Sequence, residues 1–189
     1  MREIFEVPRQ RGTWDRGIEY GLLRKRLMRL YRRMREKAGK SRRYRKRLVH
    51  TLVLMIQLRN GCRVSEAVEA LQKMVSTGQR KVMVRVRKTK KEEKEREVVL
   101  PKSVPDSDLR LIREDVKTLT VDQVKSFCKY NLGINTHTLR YAFITHLTVE
   151  KGIQPNVVAK ITGHVDLDHL ITYTQQAKAE EILEREIDW

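Results

Sequence analysis

His137 and Arg140 stand three residues apart in Thr136-His137-Thr138-Leu139-Arg140, and a second histidine follows a glycine at Gly163-His164. Tyr173 comes nine residues after that histidine. Far upstream, Arg63 sits in Asn60-Gly61-Cys62-Arg63-Val64-Ser65-Glu66. Two arginines, two histidines and a tyrosine are the groups needed to hold a phosphodiester and attack it. Breaking that bond without a metal takes positive groups on the equatorial oxygens, a nucleophile in line with the leaving oxygen, and an acid to protonate it. Arginine suits the first task because its planar fork donates two parallel hydrogen bonds to a phosphate. Tyrosine suits the second, and a phosphotyrosine link stores the bond energy for rejoining. Singly, each residue has an ordinary explanation: a surface arginine, a helix-face ion pair, a structural histidine, a turn residue, a half-buried aromatic. The weight lies in their conjunction and in their mounting at helix starts and turns.

The elements that would carry them are mostly helices. Leu23, Leu27, Leu30, Tyr31, Met34 and Ala38 form one stripe over residues 18–37, and arginines and lysines cover the rest. Such a helix packs with one face and can meet phosphates with the other, which makes Arg24, Lys25, Arg29, Arg32 and Arg33 candidate nucleic-acid contacts. Residues 39–43 read as a linker that adds Arg42 and Arg43 to that set. A core helix is expected over about 44–59, apolar on most sides beyond Leu48, with Gly61 as its C-terminal cap. Ser65 is the expected N-cap of the following helix, which leaves Arg63 in a tight connection. Val82, Val84 and Val86 alternate with basic residues and predict a strand over 81–87, with a return strand over 97–100. The charged tip between them holds Lys88, a further candidate nucleic-acid contact, together with Lys90 and Lys91. Thr120 with Gln123 is a capping-box signature for a helix to about Asn131. Thr136 is the expected cap of a helix carrying His137 and Arg140 to about Lys151, and Pro155 starts a short helix ending before Gly163. A further helix should hold Tyr173, and Ile182, Leu183, Ile187 and Trp189 pattern a short amphipathic tail. The fold class is mainly α with a small antiparallel β-sheet (α+β).

The chain has 189 residues and a formal net charge of +17, so a polyanion is the expected partner. The charge is uneven: residues 1–47 hold 18 Lys and Arg against five Asp and Glu. Two cysteines, Cys62 and Cys128, are too few for a disulfide framework, and their spacing points to no metal site. No apolar run is long enough to span a bilayer or to act as a secretory signal, so the expected setting is cytoplasmic with no membrane partner.

At three places the chain resembles the tyrosine recombinases, the phage-integrase family. Asn60 to Glu66 is similar to that family's Thr-Gly-Leu-Arg-Val-Ser-Glu box. His137-Thr138-Leu139-Arg140-Tyr141-Ala142-Phe143-Ile144-Thr145-His146-Leu147 is similar to its His-x-Leu-Arg-His-Thr-Phe-Ala-Thr-His-Leu box. Gly163-His164 and Tyr173 match its Gly-His box and nucleophile. The resemblance implies a catalytic domain over 44–189, preceded by a basic arm and amphipathic helix over 1–43. It implies that Arg63, Arg140 and His164 bind the scissile phosphate, that His137 assists proton transfer and that Tyr173 attacks. A lysine of the hairpin would protonate the 5′-oxygen: spacing from Arg96 favours Lys91, the Thr-Lys pair favours Lys90, and Lys88 is a third choice. No cofactor is implied, and the partners implied are double-stranded DNA and further copies of the chain, docked through the C-terminal segment or else leaving that segment packed in cis. Cys62 and Thr162 stand where the family usually has leucine, which reads as changed packing, and Tyr141 replaces a common second histidine. Many members carry a separate core-binding domain in front, whereas about 44 residues precede the catalytic region here. That leaves either a minimal basic clamp or the catalytic part of a longer recombinase. The competing readings are a non-catalytic DNA-binding protein on the same scaffold and a strand transferase of the type IB topoisomerase kind.

Overall fold

A computed structural model describes residues 19–86 and 95–163. Their order is α1 (Tyr20–Ala38), α2 (Arg42–Asn60), α3 (Val64–Thr77), β1 (Lys81–Arg85), β2 (Glu95–Val99), α4 (Asp106–Leu111), a 3-10 turn (Asp115–Thr118), α5 (Val121–Leu132), α6 (Thr136–Thr145), a π-turn (His146–Glu150) and α7 (Pro155–Thr162). The mainly helical class with one small antiparallel sheet is therefore as expected.

The core is built around α2. Leu48, Val49, Leu52, Val53, Leu54 and Ile56 are all buried, so this helix meets neighbours on every side past its second turn. Helix α1 lies along it, and its stripe of Leu23, Leu27, Tyr31, Met34 and Ala38 belongs to the same hydrophobic cluster as α2, α3 and α5. Leu30, at the stripe's edge, is only half-buried. Asp108 of α4 accepts hydrogen bonds from the Tyr31 hydroxyl and from Arg35 Nε, the latter at 3.0 Å. The basic helix is thus pinned into the body of the protein. Helix α2 begins at Arg42, two residues earlier than its apolar pattern, because Arg42 and Arg45 both reach Asp115 on the 3-10 turn (3.6 and 3.0 Å). That tertiary anchor extends a segment whose local sequence reads as a linker.

Strands β1 and β2 pair antiparallel in the register Lys81↔Val99 to Arg85↔Glu95. Val82, Val84 and Val98 point into the core, and Arg96 with them, while Lys81, Arg85, Glu95 and Glu97 point out, as the alternation requires. The return strand starts two residues before its predicted limit because Glu95 and Arg96 still pair with Arg85 and Val84.

Two N-caps differ from expectation. Arg63, not Ser65, caps α3, which places Glu66 at the third helical position, where its carboxylate accepts the Arg63 backbone N–H at 3.0 Å. Asn135, not Thr136, caps α6, its side-chain oxygen accepting the Thr138 N–H at 3.0 Å. The Thr120–Gln123 capping box and the start of α7 at Pro155 are as predicted. Helix α6 passes into a π-turn, closed by the Lys151 N–H donating to the His146 carbonyl at 3.0 Å. The His146 ring there stacks on Tyr20 of α1 with centroids 4.3 Å apart. Among the described residues no helix is long and apolar enough to cross a membrane.

Candidate phosphate-binding site

The connection between α2 and α3 is where the described residues concentrate positive charge in the interior. Gly61 ends α2 with φ of 57°, and Cys62 behind it is fully buried. Burial pushes the Cys62 thiol up to about 12, so it stays a neutral packing group. This is consistent with cysteine replacing an apolar residue there.

Arg63 follows. Its Nη1 donates to Glu66 Oε1 at 2.9 Å, and its side chain is about one-fifth exposed at 19%. Arg140, on α6, reaches the same turn from the other side and donates from Nη1 to the Gly61 carbonyl at 2.7 Å. It is buried, and burial is the main cause of its guanidinium being pulled down to about 10, with Arg63 and Arg96 repelling it and Glu66 opposing them. At neutral pH it remains a cation. The two arginines singled out by type and spacing are therefore brought to one turn. The Gln57 amide donates to the Thr136 carbonyl at 2.9 Å and locks the start of α6 to α2, which sets the approach of Arg140. His137, one turn ahead of Arg140 on α6, is exposed, and its ring lies 6.3 Å from that of half-buried Tyr141. Lys88, Lys90, Lys91, His164, Tyr173 and the tail residues Ile182, Leu183, Ile187 and Trp189 lie outside the described residues.

A third arginine enters that sequence reasoning used only as a counting mark. Arg96 of β2 is buried and donates from Nη2 to the Asn60 carbonyl at 2.6 Å and from Nη1 to the Thr162 carbonyl at 3.0 Å. Its Nη1 is also 3.6 Å from Glu66 Oε2. Burial holds its guanidinium below the usual arginine range, with Arg63 adding repulsion. Arg63, Arg96, Arg140 and fully buried Glu66 thus form one cluster of three guanidiniums and one carboxylate, a sum of +2 over these four groups. Charges taken out of water are costly, and among these four groups Glu66 is the one that offsets the guanidiniums. The available sequence signal was an arginine on the inward side of a strand whose other inward residue is Val98.

The basic surface residues divide into two groups. Arg24, Lys25, Arg29, Arg32 and Arg33 are all exposed on α1. Arg24 shares with Tyr20, Arg59 and Lys102 a cavity of about 230 Å³ at the Asn60 end of α2. Arg42 and Arg43 lie at the opposite end, beside Lys46, Arg47 and exposed Tyr130. At 1.5 Å per residue, helix α2 separates them from the arginine cluster by roughly 27 Å.

The chain is 32% identical to a protein named "Putative integrase ORF241" of Acidianus two-tailed virus, over 94% of this chain and 70% of that one. It belongs to an integrase family. A second relative, "Putative integrase V10" of Sputnik virophage, is 29% identical over 98% of this chain and 96% of its own. An uncharacterized protein of Methanocaldococcus jannaschii is 34% identical over 94% of this chain and 90% of its own. No family model and no solved structure matches the chain. In this integrase-family chain the matches run through both the basic front helix and the arginine cluster, since each covers more than nine-tenths of its length.

Proposed function

We propose that this chain is a DNA strand transferase of the tyrosine-recombinase type. The observation that carries the reading is the convergence of Arg63 and Arg140 on the Gly61–Glu66 turn, in a cluster of three guanidiniums and one carboxylate. A phosphodiester brings one negative charge, and its pentacoordinate transition state spreads about one more over the equatorial oxygens. A cluster whose groups sum to +2 favours the second over the first, which is what lowers a barrier.

On this reading Arg63, Arg140 and His164 grip the non-bridging oxygens. The Tyr173 phenolic oxygen forms a bond to phosphorus and its proton passes to His137. The bond from phosphorus to the 5′-oxygen breaks, and that oxygen leaves with the electron pair and takes a proton from Lys90 or Lys91. The products are a 3′-phosphotyrosyl link and a 5′-hydroxyl, and attack by a hydroxyl of a second strand runs the step backwards. Because the bond energy stays in the phosphotyrosine, the exchange draws on neither nucleotide nor metal. The exposed cations of α1 (Arg24, Lys25, Arg29, Arg32 and Arg33) and Arg42 and Arg43 hold the duplex backbone, and further copies of the chain associate on the DNA.

The test is a covalent adduct on nicked DNA, from which the short fragment bearing the new 5′-hydroxyl diffuses away. The unaltered chain is expected to accumulate the adduct, and Tyr173→Phe to bind the same DNA without forming it. An adduct with the phenylalanine variant removes Tyr173 from the role of nucleophile. DNA binding without any adduct in the unaltered chain favours the binding-only reading. Relaxation of supercoils by a monomer, with no exchange between paired sites, favours the topoisomerase reading.

The clamp role of α1 has a separate test. Deleting the front of the chain would remove Leu23, Leu27, Tyr31 and Met34 from the core, so charge replacement is the right experiment. Changing Arg24, Lys25, Arg29, Arg32 and Arg33 to glutamine is expected to flatten the salt dependence of DNA affinity, by about 0.9 in log–log slope for each phosphate no longer neutralised. An unchanged slope takes α1 out of the DNA interface.

A further inference from the structure

Arg96 adds its charge to the cluster, but none of the roles above uses the way it is held. It is carried by the return strand of the hairpin, and its guanidinium is held by the ends of two helices. The Asn60 carbonyl is the last of α2 and the Thr162 carbonyl the last of α7, and both accept from it (2.6 and 3.0 Å). The same Nη1 faces Glu66 at 3.6 Å, and Glu66 in turn holds the backbone and guanidinium of Arg63. The strand is itself fixed to α2, because the Asn60 side-chain amide exchanges hydrogen bonds with Val99 in both directions (2.9 and 3.0 Å). Past Thr162 the chain turns at Gly163, whose φ is 67°. A Cβ there would sit 3.4 Å from both Val86 methyls and 3.8 Å from Arg96 Cδ, so this turn is packed on the sheet.

We infer that Arg96 is a positioning residue: it registers the hairpin strand, the Arg63 turn and the chain entering His164 against one another, so that a single scissile phosphate meets all three. The geometry favours this over a general packing role. A buried side chain needed only for volume would be apolar, since burying a guanidinium is costly. This one is held by two helix-terminal carbonyls and faces a carboxylate, from two helices that precede proposed site residues and one that Arg63 caps. Lysine cannot reproduce the arrangement, because a single ammonium lacks the flat fork that reaches two separated carbonyls at once. The inference rests on the strand-transfer reading, and its test is built to separate the two.

The experiment measures single-turnover adduct formation by the full chain at saturating nicked DNA, for the unaltered protein, R96M and R96K. Two substrates are used, one with an ordinary scissile phosphate and one with a neutral methylphosphonate there. A misplacement on the scale of an ångström lowers a rate by ~100-fold, and that loss is expected for both variants on phosphate while DNA affinity changes less than about threefold. On methylphosphonate, where one charged oxygen no longer needs gripping, the loss is expected to shrink to a few-fold. An equal loss on both substrates makes Arg96 a stability residue and overturns the inference. Full activity of R96K overturns it too, because the fork would not be needed. Where R96M does not fold, as judged by its thermal transition, R96K carries the comparison alone. If the unaltered chain forms no adduct, the strand-transfer reading fails and this inference with it. If it does form one and R96K matches it, only the positioning role fails.

Discussion

Glu66→Gln is expected to lower folding stability by about 3–5 kcal/mol, the usual cost of removing one partner from a buried ion pair. Glu66 is fully buried and accepts from the Arg63 backbone N–H and the Arg63 guanidinium, with Arg96 at 3.6 Å. Glutamine has nearly the same shape, so almost no packing is lost and the effect is electrostatic. One of its two terminal atoms becomes a donor facing donors, and the three guanidiniums lose the counter-charge that Glu66 supplies. Against a total stability of about 5–15 kcal/mol this is a large share. The measurement is a urea unfolding curve. The same variant should gain more thermal stability from added sulfate than the unaltered chain does, because the anion supplies charge where the carboxylate is missing and binds the folded state alone. A variant as stable as the parent, or one indifferent to sulfate, would show that the cluster is not held together by Glu66.

Gly61→Ala should be the most damaging small change in the candidate site. A Cβ at this position would lie 2.2 Å from Cδ1 of Phe143 and 2.7 Å from its Cε1. The backbone there has φ of 57°, which strains any residue with a Cβ by roughly 1–2 kcal/mol. Overpacking against a buried ring adds about 1–3 kcal/mol. The Gly61 carbonyl is the acceptor for Arg140, so relief of the clash by moving the turn also moves the arginine. Stability is therefore expected to fall by about 2–5 kcal/mol, and adduct formation by ~100-fold in whatever fraction stays folded. Adding Phe143→Leu should recover the steric part of the stability loss and leave the backbone part. Recovery of all of it would mean that φ at residue 61 is not a constraint.

Much of the architecture was legible locally. The stripe on α1 and the alternating valines of β1 are buried as their spacing requires. The Thr120–Gln123 capping box, Pro155 at the start of α7 and Gly61 after α2 each act within four residues of the backbone they satisfy, so neighbours in the chain suffice to read them. The caps that misled did so because two acceptors competed within one turn: Asn135 against Thr136, and the Glu66 carboxylate against Ser65. The short helix α4 and the 3-10 turn carried no periodic signal, and tertiary partners hold them. Asp108 and Asp115 are bound by Tyr31, Arg35 and Arg45, at separations of 70 to 77 residues.

By itself the sequence determined which side chains are present in which order: Arg63, then His137 with Arg140, then His164 and Tyr173, on a basic, mainly helical chain. Residue type, helical period and capping are properties of short stretches, and those were enough for the fold class and the list of candidates. Only the tertiary structure decided that Arg63 and Arg140 meet at one turn, that Glu66 lies between cations, and that Arg96 joins them while held by the Asn60 and Thr162 carbonyls, 36 and 66 residues away in the chain. It also decided that the basic helix α1 is part of the same core. The physical reason is that a buried charge is tolerated only where its partners converge. That convergence depends on how helices pack, which no short stretch of sequence specifies.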